Sequence, residues 1–443
     1  MARLFGTDGI RGLANVDLKP SIAFALGRAT VHRLVPPGGA IVVGQDTRRS
    51  GDMFGTAIVA GATSMGADVH RAGVLPTPAL AHIAGSGDFA AGIMVSASHN
   101  PADDNGLKVL DGRGLKLDDG VEDELEALVW RADEFSGPTN AGLGREVEGR
   151  GLLDRYRAHR LDLARTVHSG LRIVLDCANG SGGVVAPELL AATGADVAVI
   201  HDAPDGTNIN LGCGATAPQD LAARVVAAGA QVGFALDGDA DRCVAVDERG
   251  EIVDGDRLIG LLALDRLERG ALAAGTVVLS VLSNGGLERA VEAAGGRVVR
   301  TPVGDKYILD GMLVSGAGLG GEKSGHVIVP EHGHSGDGIV TAIETLAVLA
   351  RSGRPLSELA ARIPLLPQEQ RAIRVQHKEQ WEADAVFAAA VQDASAEIAG
   401  RGRILVRPSG TEPSLRIMVE GDDGAQVHRL AEDLAALAAT RLG

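Results

Sequence analysis

A chain of 443 residues exceeds what one compact core supports, so two to four units, each with its own apolar interior, are expected. With 45% hydrophobic and 23% charged residues the chain is too apolar for disorder, and a net charge of -16 without any Lys/Arg run argues against a nucleic-acid partner. The opening MARLFGTDGIRG lacks the basic-then-apolar layout of a signal peptide, and no apolar stretch approaches the ~18 residues that span a bilayer, so a cytoplasmic protein without a membrane partner is expected.

In chain order, short apolar runs predict buried strands at IVVG (from Ile41), GIMVSA (from Gly92), RIVLDCANG (from Arg172), DVAVIH (from Asp196), FALDGDADRCVAVD (from Phe234) and TVVLSVLSN (from Thr276). Between them, helix-forming stretches lie at 21–34, 54–65, 218–228, 287–294 and 337–349, commonly opened by Ser, Asp or Pro. Alternation of this kind predicts an α/β protein with parallel or mixed sheets. Turn-rich or proline-bearing breaks at 136–149, 247–256 and 363–370 divide it into four domains, 1–150, 151–250, 251–366 and 367–443. The last differs in kind: RILVRPSGTEPSLRIMVEG predicts two strands around a glycine-containing loop, followed by a helix over 425–442. Cys177, Cys213 and Cys243 are odd in number and in no paired metal spacing, which supports neither a disulfide framework nor a zinc site; they read as small buried side chains.

Four segments carry chemistry. GIMVSASHNPADDNGLK (92–108) ends a strand in a small-residue loop that leaves Ser98 free to act as a phosphoryl acceptor, with His99 beside it; a capped strand-to-helix turn is the plainer alternative. DGDADR (237–242) places Asp237, Asp239 and Asp241 at alternate positions of one turn, where three carboxylates converge on a hard cation and Arg242 meets a phosphate oxygen. An EF-hand loop would need Gly at the position of Arg242 and helical flanks, but a haloacid-dehalogenase-like DxD with Asp237 as nucleophile stays open at this point. GLGGEKSGHVIVP (318–330) raises Glu322, Lys323, Ser324 and His326 from a glycine-rich loop suited to sugar hydroxyls, or forms a simple turn. RPSGTEPSLR (407–416) combines Arg407 and Arg416 with the donors of Ser409, Gly410 and Thr411, a set suited to a phosphate dianion, or forms a hairpin turn. RLFGTDGIRG adds Arg11 in another glycine-bounded loop.

Together, and in this order, the four loops resemble the α-D-phosphohexomutase family over essentially the whole chain. FGTDGIRG, DGTNIN (205–210) and CGAT (213–216) are most similar to its bacterial, glucosamine-directed branch. The resemblance implies three similar α/β domains with mixed sheets and a smaller C-terminal α+β domain around a central cleft. It implies an isomerase that interconverts glucosamine 6-phosphate and glucosamine 1-phosphate for UDP-N-acetylglucosamine and cell-wall precursors. Ser98 would carry the phosphoryl group, Mg²⁺ would bind Ser98, Asp237, Asp239 and Asp241, and glucosamine 1,6-bisphosphate would be intermediate or activator. Lys108, Arg11, His99, Arg242 and His326 fall on positions for proton transfer or charge stabilisation, Glu322 and Ser324 on sugar contacts, and Arg407, Ser409, Gly410, Thr411 and Arg416 on the distal phosphate site. The same resemblance leaves a homodimer open.

Competing readings are a phosphomannomutase or phosphoglucomutase of the same family and a non-catalytic phosphosugar-binding protein, which would need neither Ser98 nor the three Asp residues. Lys323 stands where the glucosamine branch usually carries Gln. In an extended segment it faces away from Glu322 and Ser324, so it is expected to point away from the sugar, held by a carboxylate.

Overall fold

The computed structural model describes residues 4–6, 8–409 and 413–443. The first sheet is built from β1 (Ile10–Leu13), β2 (Ala40–Gln45), β3 (Asp68–Val74), β4 (Ala91–Val95), β5 (Asp104–Asp111) and β6 (Glu146–Glu148) in the order β1-β5-β4-β2-β3-β6. Helices α1 (Pro20–Leu34), α2 (Gly51–Ser64), α3 (Thr77–Ala84) and α4 (Asp119–Val129) accompany it. Every residue of β4 is buried, the pattern of a strand covered on both faces.

Helices α5 (Leu153–Ala164), α6 (Ala186–Ala191) and α7 (Gln219–Ala228) accompany a second sheet of β7 (Arg172–Asp176), β8 (Asp196–Ile200), β9 (Val232–Leu236), β10 (Cys243–Asp247) and β11 (Ile252–Val253), ordered β11-β10-β9-β7-β8. The third combines α8 (Gly255–Glu268), β12 (Thr276–Ser280), α9 (Gly285–Ala293), β13 (Arg297–Thr301), α10 (Asp305–Ser315), β14 (Leu319–Gly321), β15 (Val327–Ile328), α11 (Gly338–Ser352) and α12 (Leu356–Ala360), with strands ordered β13-β12-β14-β15. The last is antiparallel, β16 (Gln368–Arg374), β18 (Ser414–Gly421) and β17 (Gly402–Pro408), with α13 (Ala385–Ile398) and α14 (Gly424–Leu442).

The expected α/β class with mixed sheets is what the chain forms, and the six predicted apolar runs all carry strands. The run from Phe234 is two strands, β9 and β10, folded back on each other around the acidic turn. The turn-rich segment 247–256 carries β11, which pairs onto β10, and the segment 136–149 carries β6, which pairs onto β3. The proline-bearing segment 363–370 runs into β16, an edge strand that composition hides because it begins in QEQR.

One construction recurs in all four sheets. The chemistry-bearing loops join strands that pair antiparallel: β4 to β5, β9 to β10, β14 to β15 and β17 to β18. In the first three the entering strand is also hydrogen-bonded in parallel to another strand, so the loop leaves at a carboxyl end, where α/β sheets place their ligands.

The cores divide unevenly. One apolar cluster runs without interruption from Val42 and Leu80 through Tyr156, Leu175 and Phe234 to Leu279 and Ile343, tying the first three sheets into one body. The last sheet has its own cluster around Phe387, Leu415, Ile417 and Leu430. Its attachment to the third is markedly polar: the buried Glu420 carboxylate accepts from Gly285 N at 3.0 Å, Gln368 Nε2 at 2.9 Å and Arg403 Nε at 2.9 Å. Asn284 caps α9 and exchanges two 2.9 Å bonds with Leu366. A unit with its own core and a polar seam can move as a body.

Near that seam, Asp256 in the first turn of α8 is fully buried and accepts from Asn284 N at 2.9 Å. Burial raises its carboxyl to about 6, against the opposing pull of that backbone bond. A carboxyl whose folded value lies above its unfolded value of about 3.9 binds its proton more tightly when folded, so its contribution is most favourable below about pH 4 and is lost as pH rises to about 6. Asp256→Asn keeps an acceptor and removes the charge. In urea unfolding it should be more stable than the wild type by about 3 kcal/mol at pH 7.5, with the difference vanishing near pH 4.

Candidate active site

Ser98 sits at the start of the loop leaving β4, in the left-handed region at φ 52°. A non-glycine residue held there stores strain of order 1–3 kcal/mol, which the surroundings must override. They do so through a clamp whose centre, Arg48, lies outside the sequence motifs. Arg48, buried and paired with Asp46 at 3.0 Å, donates through Nη2 to Ser98 O at 2.9 Å and Asn100 O at 2.8 Å. Its Nη1 reaches Asp104 O at 3.0 Å and also Pro101 O. Asn210, from the DGTNIN segment, donates to the same Ser98 and Asn100 oxygens at 2.9 and 3.0 Å. Ser96 completes the brace, accepting from Ser98 N at 2.9 Å and donating to Asp46 at 2.6 Å.

The second loop closes against this one. Gly238 packs so tightly on the serine loop that a Cβ there would lie 2.6 Å from Ser98 O, a contact only glycine allows. The Ser98 hydroxyl donates to Asp237 Oδ2 at 2.6 Å. Oxygens of Asp237, Asp239 and Asp241 all lie within 4.8 Å of one another, and the three residues are buried. Burial, then the charges of Asp241 and Asp239, pushes the Asp237 carboxyl well above its usual range. Asp241, although also opposed by burial, is held low by Lys108 and His326.

Cations meet the cluster from three elements. Lys108 on β5, buried, donates to Asp239 Oδ2 at 2.9 Å and lies 3.3 Å from Asp8 and 3.7 Å from Asp241. Its ammonium is disfavoured by burial but held firmly by Asp239 and Asp8. Arg242 lies 3.9 Å from Asp237 and 3.8 Å from Asp241. His326, from the third sheet, has Nδ1 3.6 Å from Asp241 and Nε2 3.5 Å from Asp305. Arg11 pairs with Asp8 and donates to Asn100 Oδ1 at 3.2 Å, and His99 Nδ1 stands 3.4 Å from the Ser98 hydroxyl. Burial, then Arg242 and Arg11, lowers the His99 imidazole to about 4, so it is neutral at pH 7.

The donor set fits a hard divalent cation. Asp239 Oδ1 and Asp241 Oδ1 are buried without a hydrogen-bond partner, while Lys108 and Thr77 occupy Asp239 Oδ2. Carboxylates and a serine oxygen, with no nitrogen or sulfur donor, are the ligands Mg²⁺ prefers.

The structure therefore brings together Ser98, His99, Lys108, Arg11, Asp237, Asp239, Asp241, Arg242 and His326. Glu322 and Ser324 lie on the neighbouring β14–β15 loop: Glu322 accepts from Gly304 N at 3.2 Å, and the Ser324 hydroxyl is buried without a partner. Arg407 and Arg416 face each other directly across β17 and β18, with Ser409 at the turn. Burial, then Arg416, lowers the Arg407 guanidinium, and Glu322 counteracts, which places the β14–β15 loop and the β17–β18 pair in one electrostatic neighbourhood. Gly410 and Thr411 lie outside the described residues. The segment around Lys323 is not extended as expected: Gly325 N donates to Glu322 O at 3.0 Å, closing a tight turn. Lys323 is nonetheless exposed, and it reaches Gln368 Oε1 at 3.3 Å on β16, an amide where a carboxylate was expected.

Sequence reasoning missed Asp46, Arg48, Asp8, Lys116 and Asp305. Lys116 bridges Asp8 and Asp305, linking the first and third units at the site. Asp8 lies within RLFGTDGIRG; the signal of the other four is charge placed just after a strand, in segments without a recognisable motif.

The phosphoglucomutase/phosphomannomutase alpha/beta/alpha domains I, II and III match residues 2–136, 153–250 and 254–365, and the C-terminal domain of the same family matches 372–437. The phosphoglucosamine mutase of Moorella thermoacetica is 50% identical over 441 residues, 99% of each chain. That of Symbiobacterium thermophilum is 49% identical over 449 aligned positions, covering both chains entirely. Among solved structures, a phosphoglucomutase/phosphomannomutase family protein of Burkholderia thailandensis superposes with a TM-score of 0.84 at 27% identity, covering 100% of this chain and 98% of that one.

Arg48→Ala would leave Asp46 as an uncompensated buried charge and release the carbonyls of the serine loop. A loss of about 3 kcal/mol in chemical denaturation is expected, with no rescue by Arg48→Lys, which cannot span the same four oxygens.

Proposed function

Since the chain belongs to the phosphoglucomutase/phosphomannomutase family, we propose that it interconverts glucosamine 6-phosphate and glucosamine 1-phosphate, with Ser98 as the covalent phosphoryl carrier. The observation that carries the chemistry is the Ser98 hydroxyl 2.6 Å from Asp237 inside a triad of buried carboxylates. The sugar assignment rests on the full-length phosphoglucosamine mutase relatives. It is also consistent with Lys323, which is engaged with Gln368 and so adds no fixed charge beside a 2-amino group.

Asp237, Asp239 and Asp241 would hold Mg²⁺ together with the oxygen of Ser98, and the bound ion would supply charge neutralisation for phosphoryl transfer. The rest is the work of this chain's residues. Arg48 and Asn210 hold Ser98 so that its oxygen faces the triad. Phosphoserine 98 gives its phosphoryl to the sugar O1 hydroxyl; that proton passes to a base and on to the departing Ser98 oxygen. Neutral His99, 3.4 Å from that oxygen, is placed to carry it. Lys108, kept as an ammonium by its carboxylate neighbours, stabilises charge along with Arg11, Arg242 and His326. The resulting glucosamine 1,6-bisphosphate turns end over end and returns its other phosphoryl to Ser98.

Glu322 and Ser324 would hold the sugar hydroxyls. The opposed Arg407 and Arg416, with Ser409, Gly410 and Thr411, would bind the distal phosphate, since like charges placed face to face are relieved by an anion between them. Closure of the last unit over substrate is consistent with its separate core and polar seam. The four-domain division at 150, 250 and 366, a cytoplasmic setting and a homodimer belong to the same proposal. No helix among the described residues is long and apolar enough to cross a membrane.

Glucosamine, glucose and mannose 6-phosphates assayed side by side with trace bisphosphate test the reading. Glucosamine 6-phosphate should give the highest kcat/KM, peptide mass spectrometry should place one phosphate on Ser98, and Ser98→Ala should abolish turnover. Preference for mannose 6-phosphate or glucose 6-phosphate would move the enzyme to another branch of the family; a fully active alanine variant would remove the covalent carrier.

A further inference from the structure

The second sheet holds another cluster, away from the acidic turn. At the carboxyl ends of β7 and β8, Asp176, His201 and Cys213 bring a carboxylate oxygen, an imidazole nitrogen and a sulfur within 4.8 Å of one another. We propose that this trio is a second cation site, selective for Zn²⁺ or a similar borderline-soft ion, that fastens the 201–214 segment to the sheet.

The donor chemistry separates it from the triad beside Ser98. Sulfur, nitrogen and oxygen ligands suit Zn²⁺, whereas an all-oxygen set suits Mg²⁺. Strand register brings the first two together: Asp176 pairs with Ile200, so His201 follows one residue beyond its partner. The Asp176 carboxylate is already oriented, accepting from Ala178 N on Oδ1 and Gly214 N on Oδ2, both at 2.8 Å. Gly214 adopts φ 73°, and a Cβ there would lie 2.6 Å from Leu236 O, so the turn that delivers Cys213 requires glycine.

His201 supplies the observation that points to a ligand. Its Nδ1 is buried and lies 3.1 Å from Asp176 Oδ1, yet it makes no hydrogen bond. Its Nε2 stands 3.4 Å from Asp220 Oδ2. A carboxylate behind one ring nitrogen fixes the tautomer and turns the lone pair of the other toward an ion, an arrangement common among metal-bound histidines. Asp220 meets Arg224 through its other oxygen, at 3.7 Å.

The Cys213 sulfur is buried beside the buried Asp176 carboxylate. Binding would release the Cys213 proton to solvent with no change of oxidation state. Entry is open on the His201 side, whose side chain is 27% exposed. Asn210, which braces the Ser98 carbonyl, lies in the segment the ion would secure. The site is thus a structural support for the serine loop.

The test is a Co²⁺ titration of chelator-stripped, desalted protein in excess Mg²⁺, which keeps the acidic triad occupied. The expected result is a near-ultraviolet thiolate-to-cobalt absorption saturating at one equivalent, removed by Zn²⁺, absent in Cys213→Ser and at least tenfold weaker in affinity in His201→Gln. A wild-type protein that develops no thiolate-to-cobalt absorption overturns the proposal even if the variants fail to fold. An unchanged absorption in Cys213→Ser overturns it as well, by assigning the sulfur to Cys177 or Cys243.

Discussion

Three carboxylates forced into one buried turn repel one another, and much of the architecture around Ser98 answers that repulsion. Asp237, Asp239 and Asp241 come from a single hairpin of the second sheet, but most of the charges that balance them come from elsewhere. Lys108 reaches in from the first sheet, His326 from the third, and Arg242 from the turn itself. Even so, two carboxylate oxygens remain buried and unpartnered. A site with that residue of uncompensated acceptors is built for a cation, and the serine hydroxyl is hydrogen-bonded to the same cluster. Positioning Ser98 and compensating the buried carboxylates are therefore one structural problem.

The solution depends on assembly of three sheets through a shared core. Lys116, which joins Asp8 to Asp305, and the Lys108–Asp239 pair are links between units, so the site exists only when the first three pack together. The last sheet contributes differently. Its apolar cluster is its own, and Arg407 and Arg416 are presented as a like-charged pair beside Glu322. Rigidity around Ser98 and independence of the unit that carries Arg407 and Arg416 suit the proposed reaction, in which one substrate must be turned and held again.

What the sequence disclosed follows from the range of the interactions. Ser98, His99 and the three Asp residues lie within contiguous loops that follow apolar strands, so hydrophobic patterning and residue chemistry locate them together. Arg48 and Asn210 act on Ser98 from 50 and 112 residues away: no local pattern marks Arg48, and DGTNIN carries no local sign that its last residue braces Ser98. The strand at Gln368–Arg374 escaped because an edge strand with polar residues on its outer face resembles a linker. The alternation argument for Lys323 failed in its premise, since glycine at 325 folds the segment into a turn, although the side chain does face outward. Cys213 lies far from any second cysteine, and only the pairing of β7 with β8 reveals its neighbours.

The central claim is that Ser98 passes its phosphoryl group to the sugar and receives one back. A single-turnover experiment decides it most directly: protein carrying radiolabelled phosphate on Ser98 is mixed with unlabelled glucosamine 6-phosphate and Mg²⁺ and quenched at intervals. The account predicts that label leaves the protein for glucosamine 1,6-bisphosphate and then glucosamine 1-phosphate, at a rate that supports turnover. Label that stays on the protein while product forms, or that leaves only as inorganic phosphate, would contradict it.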